Sequence, residues 1–278
     1  MKELPPSTHF SGKRVNQALV YYLSVKEAIV LEKRDRNLRK SSLVVSKLVP
    51  LFLVSFLAAT FALLLSPAPS GAQTTAMTIP LDSTEGLRPV NAKVESVTYK
   101  GRKGIRVTDT APQGTSDDAR FVVVTGSQFQ DGLIEVDVAG DRIPGATETA
   151  RGFVGIAFRV VHDGPPFEAF YLRPFNGRSD DQLQRNHSAQ YISSPEFPWN
   201  RLRQEFPGKY ETYVDLVPGE WTKMKIEVKG NRAHLYVNDA REPILIVNHL
   251  LHGDTKGAVA LFISLGSVAH FSNLRVSK

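Results

Sequence analysis

Between Tyr171 and Asp215 the chain reads YLRPFNGRSDDQLQRNHSAQYISSPEFPWNRLRQEFPGKYETYVD. Arg173, Asn176, Arg178, Gln182, Asn186 and Gln190 alternate there with the rings of Tyr171, Tyr191 and Trp199. Guanidinium and amide groups pair with neighbouring hydroxyls, and aromatic faces cover the apolar side of a sugar ring. A few placed polar groups on a mostly apolar surface is the usual make-up of a small-ligand site. These nine residues are the expected ligand-binding set.

The same stretch offers acid–base groups. His187 with Asp181, or Glu205 with Glu211, would supply a general acid and base; His187, Asp181 and Glu205 are the expected catalytic residues. Histidine titrates near neutrality, which suits that work but does not prove it. The competing reading is that the Arg and Asp side chains pair with one another simply to hold a long loop. Adjacent Asp180 and Asp181 carry the oxygen ligands that Ca²⁺ takes. Two carboxylates do not make a site, so no cofactor or metal is expected. No Ser nucleophile elbow, HExxH run or His/Asp cluster occurs. The absence of cysteine removes thiolate chemistry and disulfides.

Elements on either side must hold this stretch in place. From about Phe175 to Pro207 neither strand nor helix periodicity is evident, and so long an irregular segment in a compact domain is usually functional or disordered. Its aromatic content argues for order. Around it the pattern is β almost throughout. The expected strands are 92–99, 104–108, 120–124, 132–138, 152–161, 168–173, 189–192, 210–216, 222–228, 232–237, 244–247, 258–263 and 269–276. Gly, Pro, Asp and Asn punctuate them, as in an all-β sandwich. Gly230-Asn231 predicts a two-residue hairpin turn that pairs Val228 with Ala233, Ile226 with Leu235 and Met224 with Val237. In Ala169-Phe170-Tyr171-Leu172-Arg173, Phe170 and Leu172 are expected inward, leaving Tyr171 and Arg173 on the outer face.

Charge divides the chain. The net charge is +6, but residues 1–73 hold ten Lys/Arg against four Asp/Glu, so the rest carries 24 of the 34 basic and 24 of the 28 acidic residues. Phosphate binding needs clustered positive charge, and nucleic acid is not an expected partner. Lys40 and Lys47 precede an uncharged apolar run, Leu48 to Leu65, followed by Ser70-Gly71-Ala72. That is the order of a secretory signal peptide, with an uncleaved membrane anchor as the alternative. The expected organisation is an N-terminal extension over 1–46, a signal peptide over 47–72 and one β-sandwich domain over 73–278. Periplasmic or extracellular location follows, with no stable membrane insertion after cleavage.

Gly219-Glu220-Trp221-Thr222, Leu235-Tyr236-Val237-Asn238, Gly257-Ala258-Val259-Ala260-Leu261 and His270-Phe271-Ser272-Asn273-Leu274-Arg275-Val276 together resemble the C-terminal half of concanavalin A-like, laminin-G-like jelly rolls. The nearest resemblance is to bacterial exported domains of the 3-keto-disaccharide hydrolase type, over about residues 85–278. It implies a two-sheet antiparallel jelly roll that binds or cleaves a glycan or small saccharide at the concave sheet and its rim. Either a noncatalytic carbohydrate-binding protein or a glycoside hydrolase or lyase is implied, with a protein-interaction module as a further alternative. Ile134-Glu135-Val136-Asp137-Val138 is similar to the glucanase branch of the same superfamily. There the motif needs a second Glu on the strand face for a retaining mechanism, and Ala139 and Gly140 stand in its place. Glu135 and Asp137 are therefore expected to be an outward-facing pair on a solvated strand.

Overall fold

The computed structural model describes residues 76–110 and 119–278. The expected extension and signal peptide lie outside the described residues. In chain order the strands are β1 (Ala76–Ile79), β2 (Leu87–Val90), β3 (Ala92–Tyr99), β4 (Arg102–Asp109), β5 (Phe121–Val124), β6 (Gly132–Arg142), β7 (Val154–Val160) and β8 (Phe167–Leu172). They continue with β9 (Ala189–Ser194), β10 (Glu211–Thr212), β11 (Thr222–Lys229), β12 (Arg232–Val237), β13 (Leu245–Val247), β14 (Ala258–Ile263) and β15 (Ser267–Ser277). One antiparallel sheet runs β13-β12-β11-β6-β15-β4-β3, with β1 also on β15; the other runs β10-β9-β8-β7-β14-β5-β2. Two stacked antiparallel sheets of this kind form the expected jelly-roll sandwich.

Sequence period explains how the sheets stack. In the first sheet Ile134, Ile226, Leu235 and Leu245 stand opposite one another and are buried. The intervening Glu135 lies opposite Lys225, and Asp137 makes an ion pair with Arg102 at 2.7 Å. The outer face of this sheet is thus charged, as the alternation predicts. The hairpin has the predicted register, Val228 to Ala233 through Met224 to Val237. Gly230 takes φ +58 at the first turn position, a conformation glycine adopts without steric cost.

The second sheet is buried on both faces over β7, β8 and β9. Ile156, Phe170, Tyr191 and Leu261 share the face toward the first sheet, whereas Gly155, Tyr171 and Gln190 share the other. Each fully buried Phe or Leu on the inner face contributes on the order of 1.5–3 kcal/mol. At Gly155 a Cβ would meet Phe170 O at 2.2 Å and Tyr171 Cα at 2.5 Å. Only glycine lets β7 approach β8 this closely, and that approach sets the floor of the site described next.

The segment expected to be irregular holds two short helices: α1 (Gln182–Arg185) and α2 (Trp199–Glu205). A 3₁₀ turn covers Pro174–Asn176. Asp181 starts α1 by accepting the Leu183 and Gln184 amides, a usual N-cap arrangement. The strand expected over 210–216 is reduced to Glu211–Thr212 at the sheet edge.

Candidate functional site

A cleft of about 1020 Å³ opens over the outer face of the second sheet. Phe167 and Tyr171 of β8, Ile192 and Ser194 of β9 and Phe262 of β14 form its floor. One wall is the β6–β7 connection, from Ile143 to Arg151 and Phe153. The other comes from the 173–203 segment: Arg173, Asn176, Asp181, His187, Trp199 and Arg203.

Arg173 leaves β8 on the outer face and is only 5% exposed. Its Nη2 donates to Tyr171 Oη at 2.9 Å and its Nη1 to His187 O at 2.9 Å, and both reach Gln190 Oε1 at 3.3 Å. Among the described residues all its hydrogen-bond acceptors are neutral. Burial, assisted by the charges of Arg203 and Arg151, holds its pKa below the ordinary guanidinium value. Asn176 donates to the same His187 carbonyl at 3.1 Å. Among the described residues its Oδ1 is buried without a hydrogen-bond partner, an unsatisfied acceptor at the cleft wall.

His187 is thus held through its carbonyl by two side chains. Nδ1 lies 2.8 Å from Glu211 Oε2. Glu211 sits opposite Gln190 across the β9–β10 pair and also accepts from Arg203 Nε and Nη2, at 2.8 Å for the shortest contact. Burial lowers the His187 pKa below 6.5; Arg203 and Arg173 push the same way, and Glu211 opposes them. Burial thus favours the neutral imidazole, with Nδ1 facing Glu211 and Nε2 as its other nitrogen. A neutral imidazole oriented by a carboxylate is the arrangement of a general base. Arg203 lies 4.9 Å from the Trp199 ring centre, a cation–π contact that steadies the indole at the cleft mouth.

The model of the 3-keto-alpha-glucoside-1,2-lyase-like domain matches residues 83–277. The chain belongs to this family. Among solved structures, this lyase-like domain is similar to the carbohydrate-binding module CBM66 from Bacillus subtilis: 15% identity, TM-score 0.48, covering 69% of this chain and 96% of that one. It is also similar to a galectin-like-fold protein of unknown function from Bacillus subtilis: 14% identity, TM-score 0.46, covering 73% and 95%. No curated protein matches the chain.

The lyase-like domain brings Tyr171, Arg173, Asn176, Asp181, His187 and Trp199 together around one cleft. Other expected site residues lie elsewhere. Tyr191 is turned into the inter-sheet core, where its hydroxyl donates to Glu168 at 2.9 Å. Tyr171 pairs with Gln190, and the strand period turns Tyr191, the next residue along β9, inward opposite Phe170. Gln190 is 1% exposed and braces Arg173 from behind the cleft wall. Arg178 pairs with Asp215 on the surface, and Gln182 donates to Asn186 along α1. Glu205 pairs with Arg201 one helical turn away, so the carboxylate beside His187 is Glu211. Asp181 lines the cleft but caps α1 rather than contacting His187.

Sequence reasoning missed Arg203 and the entire 143–153 wall, and it paired Glu211 with Glu205, which instead pairs with Arg201, rather than with His187. The available signal for Glu211 was its place at the start of an expected strand that could align it with Gln190. Arg151 carried no such signal. Among the described residues no group of three or more His, Asp or Glu side chains gathers to hold a metal.

Proposed function

We propose that this domain binds a saccharide in the cleft between the 143–153 connection and the 173–203 segment. The supporting observation is one concave site that combines an indole, guanidinium groups and an unpartnered amide oxygen on an aromatic floor. Its volume lies at the upper end of the ~300–1,000 Å³ typical of small-ligand sites, which suits more than one sugar ring. Membership in a carbohydrate-related family supports the same reading. Export through the 47–72 segment would place the cleft in the periplasm or outside the cell. Calorimetry with neutral, acidic and keto-disaccharides tests the reading, and Trp199→Ala is expected to weaken binding about tenfold, as loss of an aromatic contact of 1–2 kcal/mol would. Unchanged affinity in a folded Trp199→Ala variant would remove the indole from the site.

A second reading, cleavage, is favoured by the His187–Glu211 pair. Elimination across C1 and C2 of a 3-keto glycoside requires removal of the C2 proton, stabilisation of the oxyanion forming at O3 and departure of the C1 oxygen. His187 Nε2 would accept the proton while Glu211 stabilises the imidazolium. Arg173 and Arg203 would offset the oxyanion charge, an electrostatic contribution that is large in a site shielded from water. As the C1–O bond breaks, the leaving oxygen keeps the electron pair and takes a proton from water or from the His187 imidazolium, giving a C1–C2 double bond beside the carbonyl.

A further inference from the structure

Three guanidinium groups line the cleft, from Arg151, Arg173 and Arg203, against one lining carboxylate, Asp181. A neutral sugar needs no such excess. The three are also close enough for Arg203 and Arg151 both to depress the Arg173 pKa. Like charges gathered in a half-buried wall cost free energy unless something offsets them. Of the three, Glu211 pairs directly only with Arg203, through its Nε and Nη2, and acts on Arg173 at longer range. Arg173 has only neutral acceptors among the described residues. Arg151 donates from Nη1 to the Glu148 carbonyl, again a neutral acceptor. Asp181 is committed to the α1 amides.

Donor geometry agrees with the charge. After its contacts with Glu211, Arg203 retains Nη1, and Arg151 retains Nε and Nη2. These can engage an anion through charge-assisted hydrogen bonds, which are about twice as strong as neutral ones. The buried Asn176 Oδ1, the acceptor without a partner, then suits a hydroxyl on the same ring.

Resting on the saccharide reading above, we propose that the cleft selects saccharides bearing an anionic ring substituent, a carboxylate or a sulfate, held against Arg151, Arg173 and Arg203. The test is calorimetry of the full chain with matched ligands: maltose, maltobiouronic acid and maltose 6′-sulfate, the corresponding cellobiose set, and inorganic sulfate alone. One or both anionic members of a set are expected to bind at least about tenfold more tightly than the neutral member, equivalent to about 1.4 kcal/mol. Which arm shows the gain distinguishes carboxylate from sulfate. Raising salt to about 1 M should shrink the preference, as screening requires. Arg151→Gln, on the half-buried wall, should narrow it to about threefold by weakening the anionic sugars more than the neutral one, the behaviour of a partly exposed charged contact. Equal or tighter binding of the neutral sugar overturns the inference but leaves the saccharide reading in place. Inorganic sulfate binding as tightly as the sulfated sugar overturns it too, by showing a simple anion site. If none of the sugars binds, both the inference and the saccharide reading fail.

Discussion

Arg159 and Arg173, both buried at the second sheet, live in opposite surroundings. Arg159, in β7, takes φ +55 and is fully enclosed. It donates to the carbonyls of Gln130, Gly230 and Gly253, contacts Asp131 and Asp254 at 3.3 Å, and lies 3.9 Å from Glu168. Nε, Nη1 and Nη2 each donate, and carboxylates surround the charge. Arg173, just beyond β8, has a hydroxyl, an amide oxygen and a carbonyl, and it borders open space. Burial of a charge is tolerable when it is paired and costly when it is not. Arg159 therefore reads as a fastening between loops, and Arg173 as a charge kept for a ligand.

That contrast can be tested by removing each side chain. Arg159→Met should have the largest effect, about 3–5 kcal/mol of stability in urea unfolding, because it leaves buried carboxylate and carbonyl groups without their partner. A much smaller loss would mean the Arg159 contacts are not a fastening. Next comes His187→Gln, which under the cleavage reading should lower turnover of a 3-keto disaccharide about 100-fold, the low end of general-base contributions, while affinity is kept. The reaction needs the neutral ring, and the folded pKa lies below 6.5. The wild-type rate should stay level through neutrality and fall only as pH drops through that lower value. Arg203→Gln removes a cation that depresses it, so the acid limb should move to higher pH. Turnover unaffected by His187→Gln would eliminate the base assignment.

Arg173→Gln should weaken saccharide binding about tenfold by loss of a charge-assisted contact. Its stability change should stay within about 1.5 kcal/mol, since only neutral hydrogen bonds are exchanged. If Arg173→Gln unfolds the protein as Arg159→Met does, the two arginines are alike and the contrast is void. The smallest effect is expected for Arg178→Ala, whose exposed pair with Asp215 is screened by solvent and should contribute little to stability and nothing to binding. A binding loss there would return Arg178 to the site.

The same contrast shows what could be read from residues alone. Tyr171 and Arg173 were legible as outward-facing because a two-residue period is local and β8 follows it throughout. The 222–238 hairpin was legible for the same reason, with Gly230 marking the turn. Local pattern also carries the floor of the cleft. Its second wall is different: residues 143–151 have no period, and only the strand order β8-β7-β14 brings them opposite Trp199. Glu211 reaches His187 through pairing of two residues at a sheet edge, Glu211 with Gln190 and Thr212 with Ala189, a contact no local pattern encodes. Helices α1 and α2 are too short to show a helical period, although Asp181 before Gln182 and Pro198 before Trp199 were start signals of the usual kind. Tyr191 was misassigned because its chemistry was weighed without its register.

His187 is anchored through its own carbonyl by Arg173 and Asn176, independently of the imidazole. Cutting the side chain back to glycine would therefore leave an imidazole-sized vacancy with Glu211 still at its rear and the loop still tied down. Free imidazole diffusing into that gap should restore part of the lost turnover in a dose-dependent, saturable way. A histidine held by its ring alone would leave no shaped seat for such a substitute.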